Sequence, residues 1–131
     1  MKSSTLLYRQ IHPTFVQGDN VSSQAFRPTP KDNNRLSVYD GDLISAEKSH
    51  LHFTKDLNCE SIGVLGVSVA ECQIENLHVS NDSQTFKEHA LIDFTEYGHT
   101  SKGTIKRKAE SLRKYAMDRG WCFLTIKYKS E

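Results

Sequence analysis

The chain has no dominant charge, no paired cysteines and no long apolar run, and each absence closes off a class of protein. Its apolar stretches fall well short of the ~18 residues that a membrane-spanning helix needs, so no span is expected. The opening residues, Met1-Lys2-Ser3-Ser4-Thr5, lack the apolar segment of a secretory signal. Cysteine is scarce: Cys59, Cys72 and Cys122 are odd in number and far apart. That argues against a disulfide framework and fits reduced thiols in the cytoplasm. Neither Cys-x-x-Cys nor His-Glu-x-x-His occurs, so no metal centre is expected. There is no helix-turn-helix signature, internal repeat or low-complexity segment. A net charge of +1 argues at first against a nucleic-acid binder.

What is present is enough for one domain. A chain of 131 residues, 37% hydrophobic and 25% charged, can bury a core without disulfides or a metal. The near-zero charge conceals a split. Residues 1–101 carry 8 basic against 13 acidic side chains, whereas residues 102–131 carry 9 against 3. Such asymmetry points to an anionic partner, or to the two parts facing each other.

The basic end also gives the clearest helix. Ser101 or Thr104 can cap it, Ile105, Ala109, Leu112 and Ala116 form one apolar stripe, and Gly120 is placed to end it after Arg119. Residues 121–128, Trp-Cys-Phe-Leu-Thr-Ile-Lys-Tyr, read as a closing strand. Upstream, Leu6–Ile11 is a first strand, residues 17–24 are turn-rich, and Ala25-Phe26-Arg27 is a short strand stopped by Pro28. Leu36–Tyr39 alternates like a half-buried strand. Ser45 can cap a helix with Ala46, His50, Phe53 and Leu57 on one face. Ile62–Val69 is the most apolar stretch and is expected to be a central strand, and Leu91–Phe94 another. The expected class is α+β: one domain over residues 1–131, with a mixed or antiparallel sheet of five or six strands and at least two helices.

Candidate chemistry concentrates in the N-terminal half. Arg9 and His12 stand at the exit of the first strand, where Pro13 turns the chain out of the sheet. Arg9 is a bidentate donor suited to phosphate or carboxylate, and His12 a neutral-pH acid or base. Ser22, Ser23, Arg27, Ser37, Tyr39 and Ser45 follow. If these strands pair, the arginines, a histidine and several hydroxyls converge at one sheet end, a mixture suited to a phosphate-bearing ligand rather than to acyl transfer. Otherwise the arginines make surface ion pairs and the serines form turns.

This order of parts, over about residues 6–55, resembles the ADP-ribosyltransferase-like fold, including the RES-type toxins of bacteria. The resemblance implies an NAD pocket in which Tyr8-Arg9 supplies the arginine. Ser23 or Tyr39 would be the middle residue and Glu47 or Glu88 the acidic one. It also implies a place in a toxin or phage-defence operon. The pieces Arg9-Gln10-Ile11-His12-Pro13, Ser22-Ser23-Gln24-Ala25-Phe26 and His89-Ala90-Leu91-Ile92-Asp93-Phe94 are similar to stretches of small bacterial proteins.

The remaining candidates are single residues and one helix face. His50 and His52 point to different faces of a helix. His89 and Asp93, four apart on a strand, are about 13 Å apart at roughly 3.3 Å per residue, too far to share a metal. His89 is expected to be a hydrogen-bonded residue at a strand start, or else a general base working with His12 on RNA. Cys72 and Cys122 are expected to be buried, and Cys59 exposed beside acidic neighbours that do not activate it. Lys106, Arg107, Arg113 and Lys114 can contact nucleic acid or an acidic protein, with Tyr115 and Trp121 as stacking surface, or form a solvated face. The leading expectation is a cytoplasmic α+β domain with a pocket for NAD or RNA. There Arg9 and Arg27 hold phosphate, His12 or His89 moves a proton, and Ser23 or Tyr39 orients the ligand. The alternative is a non-catalytic adaptor that binds through its basic helix.

Overall fold

Leu6–Ile11 (β1), stopped by His12-Pro13, and Arg35–Asp40 (β4), which alternates at Leu36 and Val38, form the centre of the sheet. The computed structural model describes residues 1–98 and 102–125. Around β1 and β4 lie His78–Asn81 (β6), His89–Asp93 (β7), Gly63–Ser68 (β5) and Phe123–Leu124 (β8), in the order β6-β7-β4-β1-β5-β8 with every pair antiparallel. Two short strands, Val16–Gln17 (β2) and Asn20–Val21 (β3), pair separately. The α-helices are Ala46–Leu51 (α1), Val69–Ile74 (α2) and Lys102–Arg119 (α3). The fold is α+β, as expected.

Strand periodicity assigns the two faces of the sheet. Leu7, Ile11, Leu36, Val38, Leu65, Val67, Ala90 and Ile92 fall on one face, where they form a buried core with Ala109, Leu112 and Ala116 of α3 and with Phe26 and Phe94. Tyr8, Gln10, Ser37, Tyr39 and His89 fall on the other. There α1 is fixed by Gln10, whose Nε2 donates to Ser49 Oγ (3.0 Å) while its Oε1 accepts from Ser61 Oγ (2.9 Å). Ser45 caps α1 as expected, its hydroxyl accepting from Lys48 N. The helix then widens into a π-helical turn, His52–Asp56, closed by Leu57 N donating to His52 O at 3.0 Å. Gly120 ends α3 at φ +90°, in the left-handed region that glycine adopts freely.

Several expectations need correction. Ala25-Phe26-Arg27 is no strand; Ser23–Phe26 is a 3₁₀ turn, started by Ser22 Oγ accepting from Gln24 N. Ala25 and Phe26 are both fully buried, as are adjacent residues of the doubly covered strand β5, so their apolar character does not tell a turn from a strand. The turn-rich residues 17–24 include the β2–β3 hairpin. The apolar run at residues 62–69 is buried but lies second from the sheet edge, and β1 and β4 take the centre. Its end turns into α2, because Ser68 and Glu71 form a reciprocal capping box. The closing strand is the two residues of β8, and its expected continuation beyond residue 125 lies outside the described residues, as does the cap at Ser101.

The α2 cap carries the acid stability of this corner. Burial raises the Glu71 carboxyl, but the Arg119 fork (2.9 and 3.0 Å) and the Ser68 amide and hydroxyl outweigh it and hold the group below its ordinary value. A depressed carboxylate contributes stability above its unfolded pKa of about 4.3, lost as pH falls through the folded value. Urea unfolding is therefore expected to show Glu71→Gln less stable than wild type at pH 7, with a shallower loss below about pH 5. Parallel pH profiles for the two proteins would contradict this.

Candidate active site

The ladder between β1 and β4 is incomplete. Leu7 pairs with Asp40 and Tyr8 with Tyr39, and Gly41 N reaches Leu6 O at 2.8 Å. Gly41 is needed there, since a Cβ would lie 2.5 Å from Leu6 O. Continued in register, the next hydrogen-bonded rung would join Gln10 to Ser37, and it is not made. Arg9 fills the opening instead. Its Nε donates to Ala25 O (2.7 Å) and its Nη1 to Ser37 O (3.0 Å). In an antiparallel strand a residue's N–H and C=O point the same way, so Ser37 N–H also faces this seam.

A pocket of about 220 Å³ opens over the seam, lined by Tyr8, Arg9, Gln10, Ser37, Tyr39, Phe53, Phe86 and His89 among others. Burial pulls the Arg9 guanidinium down to about 10, with Asp32 opposing, so it stays charged at neutral pH. No carboxylate ion-pairs with it among the described residues. The wall is aromatic. Phe86 lies 4.7 Å from the His52 ring, 4.8 Å from His89 and 5.3 Å from Tyr39, centroid to centroid. Tyr39 OH is hydrogen-bonded to His52 Nδ1 at 2.7 Å, and burial, reinforced by nearby Cys59, Glu88 and Asp56, pushes its phenol well up, so it stays protonated.

His89 joins this wall to a polar relay. Its Nδ1 lies 2.9 Å from Asp82 Oδ2 and its Nε2 3.1 Å from Ser37 Oγ. Pairing of Tyr39 with His89 and of Ser37 with Leu91 puts all four side chains on one face and brings Ser37 and His89 into diagonal contact. Asp82 is fixed by Thr85 Oγ1, which donates at 2.6 Å; that bond and the one to His89 hold its carboxyl below the ordinary range. His89 is buried, whereas Ser37 is exposed.

Of the residues singled out by sequence, Arg9, Tyr39 and His89 line this pocket, together with Ser37. His12 does not: its Nδ1 accepts from Thr14 N, capping the 3₁₀ turn Pro13–Phe15, and its Nε2 lies 3.3 Å from Glu60. Ser23 and Arg27 stay with the 3₁₀ turn Ser23–Phe26, away from the pocket lining. Glu47 is exposed, and Glu88 lines the neighbouring cleft with Asp42 and Lys48. His50 and His52 diverge as expected, to Ser61 O and to Tyr39. Cys72 is buried and pushed up to about 12 by burial, while Cys59 is exposed.

The basic helix divides in two. Lys106, Arg107 and Lys114 are exposed. Arg113 is turned inward, donating through Nε to Val21 O and through Nη2 to Asn20 Oδ1, so it clamps the β2–β3 hairpin to α3. Lys108 lies over the Tyr97 ring and donates to Glu75 O. What the sequence reading missed is Asp82 as the orienting partner of His89 and Ser37 as its acceptor or donor. The available signal was a turn, Asp82 to Glu88, short enough to fold an aspartate back onto the histidine that follows it. No helix among the described residues is long and apolar enough to cross a membrane. No family model matches the chain, and no curated protein or solved structure matches it either.

Proposed function

We propose that the chain is a cytoplasmic enzyme-like domain whose pocket binds a small phosphate-bearing ligand, with Arg9 as the anion receptor and His89 and Tyr39 on the reacting wall. One observation carries this reading: a charged, half-buried guanidinium lines the pocket with no carboxylate partner among the described residues. A buried charge without a counter-ion is costly, and an anionic group entering the pocket relieves that cost through charge-assisted hydrogen bonds. The aromatic wall of Tyr8, Tyr39, Phe53 and Phe86 adds an apolar surface for a ring or a short chain. A volume of about 220 Å³ suits a phosphate and one adjoining group, so of NAD or RNA only a part would enter.

Phenyl phosphate, which joins the two features in one molecule, is the direct probe. Titration followed by calorimetry is expected to give saturable binding that weakens by ~10–100-fold in Arg9→Gln, the loss of one charge-assisted contact. Arg9→Lys should fall between the two, since an ammonium cannot hold both carbonyls and the anion. Equal binding by wild type and Arg9→Gln, with both folded by circular dichroism, would refute the assignment.

The exposed cations Lys106, Arg107 and Lys114 support a second reading, an adaptor surface for an acidic protein or nucleic acid. Their substitution should leave phenyl phosphate binding unchanged, which separates the two.

A further inference from the structure

We propose that Ser37 is a nucleophile, activated by His89 and oriented through Asp82, and that the pocket cleaves acyl compounds whose leaving group carries a phosphate beside the scissile bond. This rests on the anion site at Arg9 and names the chemistry performed next to it. Three features converge. The line Ser37 Oγ–His89 Nε2 (3.1 Å) and His89 Nδ1–Asp82 Oδ2 (2.9 Å) has the connectivity of a serine–histidine–carboxylate relay. Asp82 accepts a hydrogen bond from Nδ1–H and so fixes the tautomer in which Nε2 is free to take the hydroxyl proton. The serine is the accessible member, within hydrogen-bond reach of a histidine that a third group orients, as an activated nucleophile requires.

The seam supplies what such a nucleophile needs. Arg9 Nη1 is held on the carbonyl of Ser37 itself, so the cation stands within one residue of the attacking oxygen. Ser37 N–H faces the same opening, where negative charge would develop. Among the described residues one permanent cation, Arg9, lines this pocket and the rest of its wall is largely apolar, which suits a neutral acyl group beside a single anion.

In the reaction, Ser37 Oγ forms a bond to the acyl carbon and its proton passes to His89 Nε2. The bond from the acyl carbon to the bridging oxygen breaks, the phosphate leaves against Arg9 and takes that proton, and the acyl group remains on Ser37. Water then attacks the same carbon and gives a proton to His89 Nε2; the bond from the acyl carbon to Ser37 Oγ breaks, Ser37 Oγ takes that proton from His89, and the carboxylic acid leaves. No redox change occurs.

Acetyl phosphate is the smallest probe with these parts. Wild type is expected to release phosphate catalytically, and in ¹⁸O-water the label should enter acetate, because the acyl carbon is attacked. Ser37→Ala and His89→Gln should each lower kcat by ~10³-fold or more. Asp82 is a positioning residue: Asp82→Asn should lower kcat ~10-fold or more per site titrated by a fluorophosphonate, a per-site loss that a smaller folded fraction would not produce. A fluorophosphonate should add once, at Ser37, and fail to add to His89→Gln. Ser37 is exposed, so Ser37→Ala is expected to fold. Label in phosphate rather than acetate, or an unlabelled Ser37 in protein that binds phenyl phosphate, overturns the nucleophile and leaves the anion site standing. Failure to bind phenyl phosphate as well removes both.

Discussion

Phe26→Ala is expected to lower the unfolding free energy by about 3–5 kcal/mol, the range for emptying a large aromatic site in a closed core. Phe26 is fully buried and sits on the 3₁₀ turn that packs against α3. A rigid turn on one side and an 18-residue helix on the other leave little freedom to collapse into the void. The variant should also disturb the pocket, since the same turn presents the Ala25 carbonyl that Arg9 Nε grips. Urea denaturation reads the first effect, and weaker phenyl phosphate binding by the folded fraction reads the second. A loss below about 1 kcal/mol would mean that the site closes over, and that the turn is not a rigid support.

Arg113→Ala is expected to cost about 1.5–3 kcal/mol, the scale of hydrogen bonds made by a charged donor. The guanidinium takes up Val21 O and Asn20 Oδ1 and lies 3.2 Å from Glu110. Val21 is fully buried, so its carbonyl has no easy replacement partner. Reversing the charges of Lys106, Arg107 and Lys114 together should instead move stability by only about 0.5 kcal/mol, as expected of exposed positions. Thermal unfolding of the two proteins separates a clamp from a solvated face. Equal effects would show that Arg113 belongs with its exposed neighbours.

That contrast marks how far the sequence could be read. The stop at His12-Pro13 located the end of β1 to the residue, and the apolar stripe located α3 up to its end at Arg119, because a 3.6-residue repeat is buried by only one geometry. Periodicity failed at Ala25-Phe26, where the stretch is too short to show a period and the Ser22 cap winds it into a 3₁₀ turn. It failed again at Ser68-Val69, where a capping box converts an apolar strand into a helix without a break in hydrophobicity. Arg9, Tyr39 and His89 were visible as chemistry, but their meeting depends on strand order, which a single sequence does not give. His12, three residues from Arg9, looked an equal partner. One residue beyond the end of β1 it had already turned away to cap the next segment. Asp82 and Ser37 were harder still: the serine is 52 residues from the histidine, and only the β4–β7 register brings them together. Arg113 and Lys114 are neighbours in sequence with opposite fates, decided by a hairpin more than 90 residues upstream.

The missing rung between Gln10 and Ser37 has a mechanical consequence. On one side of it β6, β7 and β4 form a continuous three-stranded block, and on the other β1, β5 and β8 form a second. Their backbones are hydrogen-bonded at one end only, by the pairs of Tyr8 with Tyr39 and Leu7 with Asp40 and by the Gly41–Leu6 bond, while the Arg9 side chain bridges the other. The sheet is thus split on one face over a core that both halves share, and the reacting groups are divided across the split: the cation on one half, the serine, histidine and aspartate on the other.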